Sequence, residues 1–287
     1  MFGLRSDGKK IKNIDAIMKL SPHIMPHRND AMVMSVYDID CTGMDEYIFK
    51  RRKDGVRVNY MDVTVTAMMR VMASRPRLNR FIMNGRVFRR NDIQLAFTIK
   101  KALKDGADET TVKFTFKGTE TLDDIKAMID KEVIANSKVS AVNDTDKLAK
   151  FFTIVPNFMI KFMVGTVKFL DKHGMLPRAI LNLSPFHTSV FLTNMKSIKM
   201  NYVLHHIYNF GTTSMFMSMG KEKYIPIVLD PEAKTIGVKK IFQLGCTIDE
   251  RICDGLYFGN SIREFQRLME NPSILDTPLE AKVEDLR

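Results

Sequence analysis

The sequence predicts a single α/β domain built on a mixed sheet, and three observations carry that expectation. Segments whose apolar residues alternate, such as Phe242, Leu244, Cys246 and Ile248, are interleaved with segments of helical spacing, such as Val65, Met68, Met69 and Met72. No internal repeat or low-complexity linker divides the chain. Its 287 residues are 45% apolar, enough for one sizeable core.

Ile11, Ile14, Ile17 and Met18 predict a helix between Lys10 and His27 that breaks at Ser21-Pro22 and again at Pro26. Met32 to Ile39 alternates like a strand, and Met44 to Lys53 reads as a short helix stopping near Asp54-Gly55. The stripe through Val65 and Met72 predicts a helix from Met61 to Arg75-Pro76, N-capped by Asp62. A pair of strands around Asn91-Asp92 fills Arg86 to Lys100, and Thr111 to Phe116 adds another. Leu122, Ile125, Met128 and Ile129 mark a helix from Thr121 to Val133. Strands at Ser189 to Met195, Thr213 to Met219 and Val238 to Ile248 precede a helix from Leu256 to Met269, which ends at Asn271-Pro272. The last dozen residues, rich in Glu and Lys, read as a loosely held tail.

Leu148 to Leu170 is apolar over a length that raises the question of a membrane. Lys161, Lys168 and Pro156 argue against a span, because one central lysine costs about 2.5 to 3.5 kcal/mol on insertion scales. A buried or subunit-facing helix pair is expected, with a membrane-surface helix as the alternative.

The net charge of +11 and the pI near 9.5 suit an acidic partner. Lys and Arg are nevertheless dispersed, without a basic patch interleaved with aromatics, so nucleic acid is not expected. Cys41, Cys246 and Cys253 are odd in number and lack metal-ligand spacing, which fits a reducing compartment, by default the cytoplasm. Met1 to Lys12 has no apolar stretch of the kind a secretory signal needs.

The most telling stretch is Thr247-Ile248-Asp249-Glu250-Arg251-Ile252-Cys253-Asp254-Gly255, densely polar between a strand and a helix. It resembles the His-x-x-x-Asp-Gly loop of the chloramphenicol acetyltransferase and dihydrolipoyl acyltransferase superfamily, with Glu250 where that pattern has His. Further blocks fall in the same order as in the acyltransferase domain of 2-oxo acid dehydrogenase complexes: Ile17-Met18 to Ser21 with Pro26-His27, Val58 to Asp62, Arg75 to Asn79, Phe191-Leu192-Thr193-Asn194, and Asn271-Pro272. Stand-alone relatives with Glu in this loop are similar as well.

The resemblance implies a two-layer α/β sandwich of chloramphenicol acetyltransferase type with a mixed sheet, assembled as a homotrimer. It implies an active site between subunits, reached by CoA from one side and a small-molecule acceptor from the other. Residues 1–275 would form an acyltransferase-like catalytic domain with a helical insertion at about 148–180, leaving 276–287 as a C-terminal tail. By position, Glu250 would be the base, Thr193 the hydroxyl that stabilises the oxyanion, and Asp254 the carboxylate that holds the loop through an ion pair. Coenzyme A, as acyl-CoA, is the expected substrate, with no lipoyl attachment site and no metal. Dispersed Lys and Arg would meet its phosphates.

The carboxylate at position 250 leaves two readings open. An ordinary Glu is a weaker base than an ordinary His by about 2 pKa units, about 3 kcal/mol, and burial between subunits narrows that gap. In the other reading Glu250 pairs with Arg251 or another arginine, and the protein is a catalytically inactive trimeric relative that binds or scaffolds. A base from elsewhere would come from His187, six residues before Thr193, or from His205-His206. Asp249, Glu250, Cys253 and Asp254 offer mixed ligands without a second cluster, which is poor evidence for a metal, and Cys253 reads as a core thiol. Thr212-Thr213-Ser214 reads as a polar strand entry rather than a channel wall, and Gly255 as a turn or close approach.

Overall fold

The computed structural model describes residues 5–100, 109–136 and 155–286. Six strands form a mixed sheet: Met32–Asp40 (β2), Ile93–Lys100 (β5), Glu109–Phe116 (β6), Val190–Asn194 (β7), Met215–Asp230 (β8) and Thr235–Asp249 (β9). Their order is β2-β9-β8-β7-β5-β6, with β7 parallel to β5 and β8 and the other pairs antiparallel. A smaller sheet holds Gly8–Lys10 (β1), Arg86–Arg90 (β4) and Arg80–Met83 (β3), in that order.

Alternation decides which strand residues of the main sheet enter the helix-covered core. Val190, Leu192, Met215, Met217, Leu244 and Cys246 point into one core, shared with Tyr60–Ser74 (α3), Gly255–Glu270 (α7), Thr42–Lys53 (α2) and Leu122–Asn136 (α4). The intervening residues Phe191, Thr193, Phe216 and Ser218 face the other way. The helical layer packs closely: a Cβ on Gly43 in α2 would sit 1.8 Å from the carbonyl oxygen of Glu270, the last residue of α7.

Several expectations need correction. The helix Ala16–Ile24 (α1) carries Pro22 inside it instead of breaking there. An interior proline typically costs about 3 kcal/mol by removing a hydrogen bond to the carbonyl four residues back. Here the Ser21 hydroxyl donates to that carbonyl, Met18 O, at 3.4 Å, and the Pro22 ring is buried. Asn59, not Asp62, is the N-cap of α3, and Asp62 closes the capping box from the third position. Far from showing one stripe, α3 is buried on every side, because α4, α7 and the sheet surround it. The strands flanking Asn91-Asp92 belong to different sheets, and β4 pairs with β3 across Asn84-Gly85. Both turn residues have positive φ, 50° and 67°, as a two-residue hairpin loop demands.

The apolar stretch is described only from residue 155 onward; 148–154 lie outside the described residues. Asn157–Lys172 (α5) and Arg178–Leu183 (α6) are helical, but α5 is not buried within this chain: Phe158 and Phe162 are 74% and 75% exposed. Among the described residues no helix is long and apolar enough to cross a membrane. The C-terminal segment is also held more firmly than its composition suggests. Asp285 forms a bidentate pair with the buried Arg80 at 2.6 Å, and the Val283 N–H donates to Ala73 O at 2.8 Å.

Candidate active site

At the end of β9 the backbone turns sharply, and the carboxylate that braces the turn is Asp249. It is fully buried and takes three donations from Arg251: the backbone N–H at 3.2 Å, Nε at 2.7 Å and Nη2 at 2.6 Å. Arg251 Nη1 reaches Met25 O at 2.6 Å, and Arg28 Nε stands 3.9 Å from Asp249. Glu250 is thereby left out. Its N–H bonds Ala31 O at 3.0 Å, while its side chain is exposed and has no ion-pair partner among the described residues. Glu250 pairs with neither Arg251 nor another arginine among the described residues, and Asp249 occupies the Arg251 guanidinium.

Asp254 is the N-cap of α7 and accepts the Tyr257 N–H at 2.8 Å. Its second oxygen meets Arg77 Nη1 at 3.3 Å in an exposed pair, worth at most about 1 kcal/mol. Gly255 serves neither a left-handed turn nor a close approach, since an added Cβ would meet nothing within 4 Å. Cys253 is buried, and burial pushes its thiol up to about 12, which keeps it protonated and inert.

Thr193 lies on the outer face of the sheet, where it lines a cavity of about 410 Å³ with Phe191, Phe216, His205, Tyr208 and Lys100. The rings of Phe191 and Phe216 stack at 5.1 Å, and the His205 imidazole lies flat on Phe216 at 3.9 Å. His205 Nδ1 is 2.7 Å from the His206 carbonyl. A carbonyl can only accept, so Nδ1 is the donor, and Nε2 is the ring nitrogen left to exchange a proton. This cavity therefore combines a hydroxyl and an imidazole base.

Within one chain Thr193 and Glu250 do not meet. Thr193 pairs with Ser218, which pairs with Gly245, and Glu250 lies five residues farther along. Strand rise and two strand spacings then separate them by about 19 Å.

His187 is not a candidate for the Thr193 cavity. It is buried, with Nδ1 at 2.7 Å from Ser184 Oγ and Nε2 at 3.0 Å from Asp171 Oδ2, and burial lowers its pKa, keeping it neutral. Thr212, Thr213 and Ser214 are likewise structural: their hydroxyls bond Arg90, Phe186 O and Arg80 O. Lys113, which sequence reasoning missed, donates its ammonium to three carbonyls, Leu181, Ser184 and His187, and burial lowers it to about 7. Among the described residues no group of three or more His, Cys, Asp or Glu is placed to hold a metal ion.

No protein-family model matches the chain, and no curated protein does. Solved structures do match over nearly the whole length. A probable dihydrolipoamide acetyltransferase from Listeria monocytogenes 4b F2365 superposes with a TM-score of 0.56 at 14% identity, covering 91% of this chain and 94% of that one. The cubic core of the pyruvate dehydrogenase multienzyme complex gives 0.57 at 10% identity over 93% and 94%. A chloramphenicol acetyltransferase gives 0.55 at 12% identity over 91% and 99%. At such identities the likeness speaks for architecture: this chain has the fold of the chloramphenicol acetyltransferase and dihydrolipoamide acetyltransferase catalytic cores.

Proposed function

We propose that the protein is a CoA-dependent acyltransferase whose reacting centre forms between two copies, the Thr193 cavity of one facing the Glu250 loop of the next. The observation that carries this reading is the state of Glu250: an exposed carboxylate with no ion-pair partner among the described residues, on a loop that Asp249, Arg251 and Arg28 brace. In the proposed reaction Glu250 takes the proton of the attacking thiol or hydroxyl, the Thr193 hydroxyl donates to the oxyanion, and collapse of the intermediate breaks the bond to the CoA sulfur, which takes that proton from Glu250 and leaves as the free thiol. Asp254 fixes the start of α7 and keeps the loop in place. Covering by a second copy would strip water from the carboxylate and strengthen it as a base.

His205 supports a second assignment of the base, because it lines the same cavity as Thr193 and its Nδ1 is already engaged by the His206 carbonyl. Thiol release from a panel of acyl-CoA thioesters, with thiol, amine and alcohol acceptors, tests the function. Glu250→Gln is expected to lower kcat by about 100-fold or more while assembly persists. A full rate in that variant with loss in His205→Gln transfers the role to His205. No turnover with any thioester, and unchanged cellular function in Glu250→His, would establish the inactive binding or scaffold protein instead.

A further inference from the structure

A second cavity, about 460 Å³, opens beside the same loop between α1, the β3–β4 turn and α5, and its chemistry is one-sided. Arg28 and Arg251 form part of its wall, Lys168 and Lys172 stand one helical turn apart on α5, and His23 and His27 add ring nitrogens beside these four cations.

The charges beneath it do not balance. Four buried guanidiniums, Arg5, Arg28, Arg90 and Arg251, interact with three carboxylates, Asp7, Asp171 and Asp249. Asp171, the carboxylate that reaches the cavity, is already engaged by Arg5 at 2.6 Å and His187 at 3.0 Å. Asp249 is shared between Arg251 and Arg28. One buried positive charge is left over, and the two lysines add two more. Arg28 is 5% exposed, and its Nε has no hydrogen-bond acceptor among the described residues. An unmatched buried donor of this kind is costly unless a ligand completes it. Asn209 turns its carbonyl toward the N–H groups of Arg28 and Asn29, which leaves its amide NH2 as a further donor.

We propose that this cleft binds the phosphoryl groups of a phosphorylated small molecule. The excess of donors over acceptors selects an anion, and the three uncompensated charges suit a diphosphate better than a single carboxylate. The volume leaves room for the carrier as well. Identifying that carrier as CoA rests on the acyltransferase reading; the anion site does not.

Calorimetry on the full chain at low ionic strength, with pyrophosphate, CoA and pantetheine as probes, tests the proposal. Pyrophosphate and CoA are expected to bind, and Lys168→Glu with Lys172→Glu is expected to weaken both by about tenfold or more, leaving any pantetheine binding unchanged. Both lysines are exposed, and the milder Lys168→Gln with Lys172→Gln pair should give a smaller loss in the same direction. Competition between CoA and pyrophosphate makes CoA the carrier; independent binding gives the site to a separate phosphorylated molecule. Absence of binding by both anions, or affinities unchanged in the charge-reversed protein, would overturn it. Failure of acyl transfer alone would leave the pyrophosphate result standing.

Discussion

Asp249 and Glu250 are adjacent carboxylates with opposite fates, and their difference is a matter of direction along a strand end. Successive side chains alternate, so one enters the arginine cluster and the other leaves it. The loop could be located from sequence, but which acid braces it could not, because the deciding partners, Met25 O and Arg28, lie more than two hundred residues away. His187 shows the same limit: its spacing from Thr193 suggested a base, whereas Asp171 and Ser184 lock it into the interior. Burial is the largest influence on it and lowers its pKa, against the pull of Asp171. The unfolded chain regains an ordinary imidazole and binds more protons than the folded one below about pH 6.5. Stability should therefore fall as pH drops from about 6.5 toward the folded pKa, and His187→Gln should flatten that limb. Urea midpoints taken at successive pH values would reveal the difference.

Local periodicity located most helices and strands, and failed where a partner elsewhere in the chain overrode the local signal. Ser21 and burial carried α1 through Pro22; α4, α7 and the sheet surrounded α3; β8 and β9 extended each other past the core into a ribbon. Composition misled most at the C-terminus. A Glu- and Lys-rich segment reads as solvated, yet its Asp285 neutralises Arg80, a guanidinium 1% exposed. Removing one partner from a buried pair leaves an uncompensated charge, typically at about 3 to 5 kcal/mol. Asp285→Ala is expected to lower the unfolding free energy by about 3 kcal/mol, read as a reduced urea midpoint at unchanged slope. An unchanged midpoint would mean that Val283, Lys282 and the Arg89–Glu284 pair hold the segment without Asp285.

At the scale of the whole molecule, strand register has the largest consequence, since it puts about 19 Å between Thr193 and Glu250 in one chain. No motif could reveal that distance, which depends on pairings between remote strands. The proposed reaction at both groups would therefore need a second copy, and the β8–β9 ribbon offers surface for one. Beyond the core, Val228 pairs with Ile236 and Pro226 with Val238, which puts all four on one exposed face together with Tyr224. An apolar ribbon of two strands is marginal in water unless something covers it. Ile236→Lys with Val238→Lys should therefore shift the native assembly to monomer in sedimentation velocity. Both positions are exposed in the chain, so each monomer should stay folded. Acyl transfer should be lost although Glu250 and Thr193 are intact, while pyrophosphate binding, which one chain supplies alone, should persist. Turnover retained by a demonstrated monomer would place the whole reaction within one chain and give the base to His205.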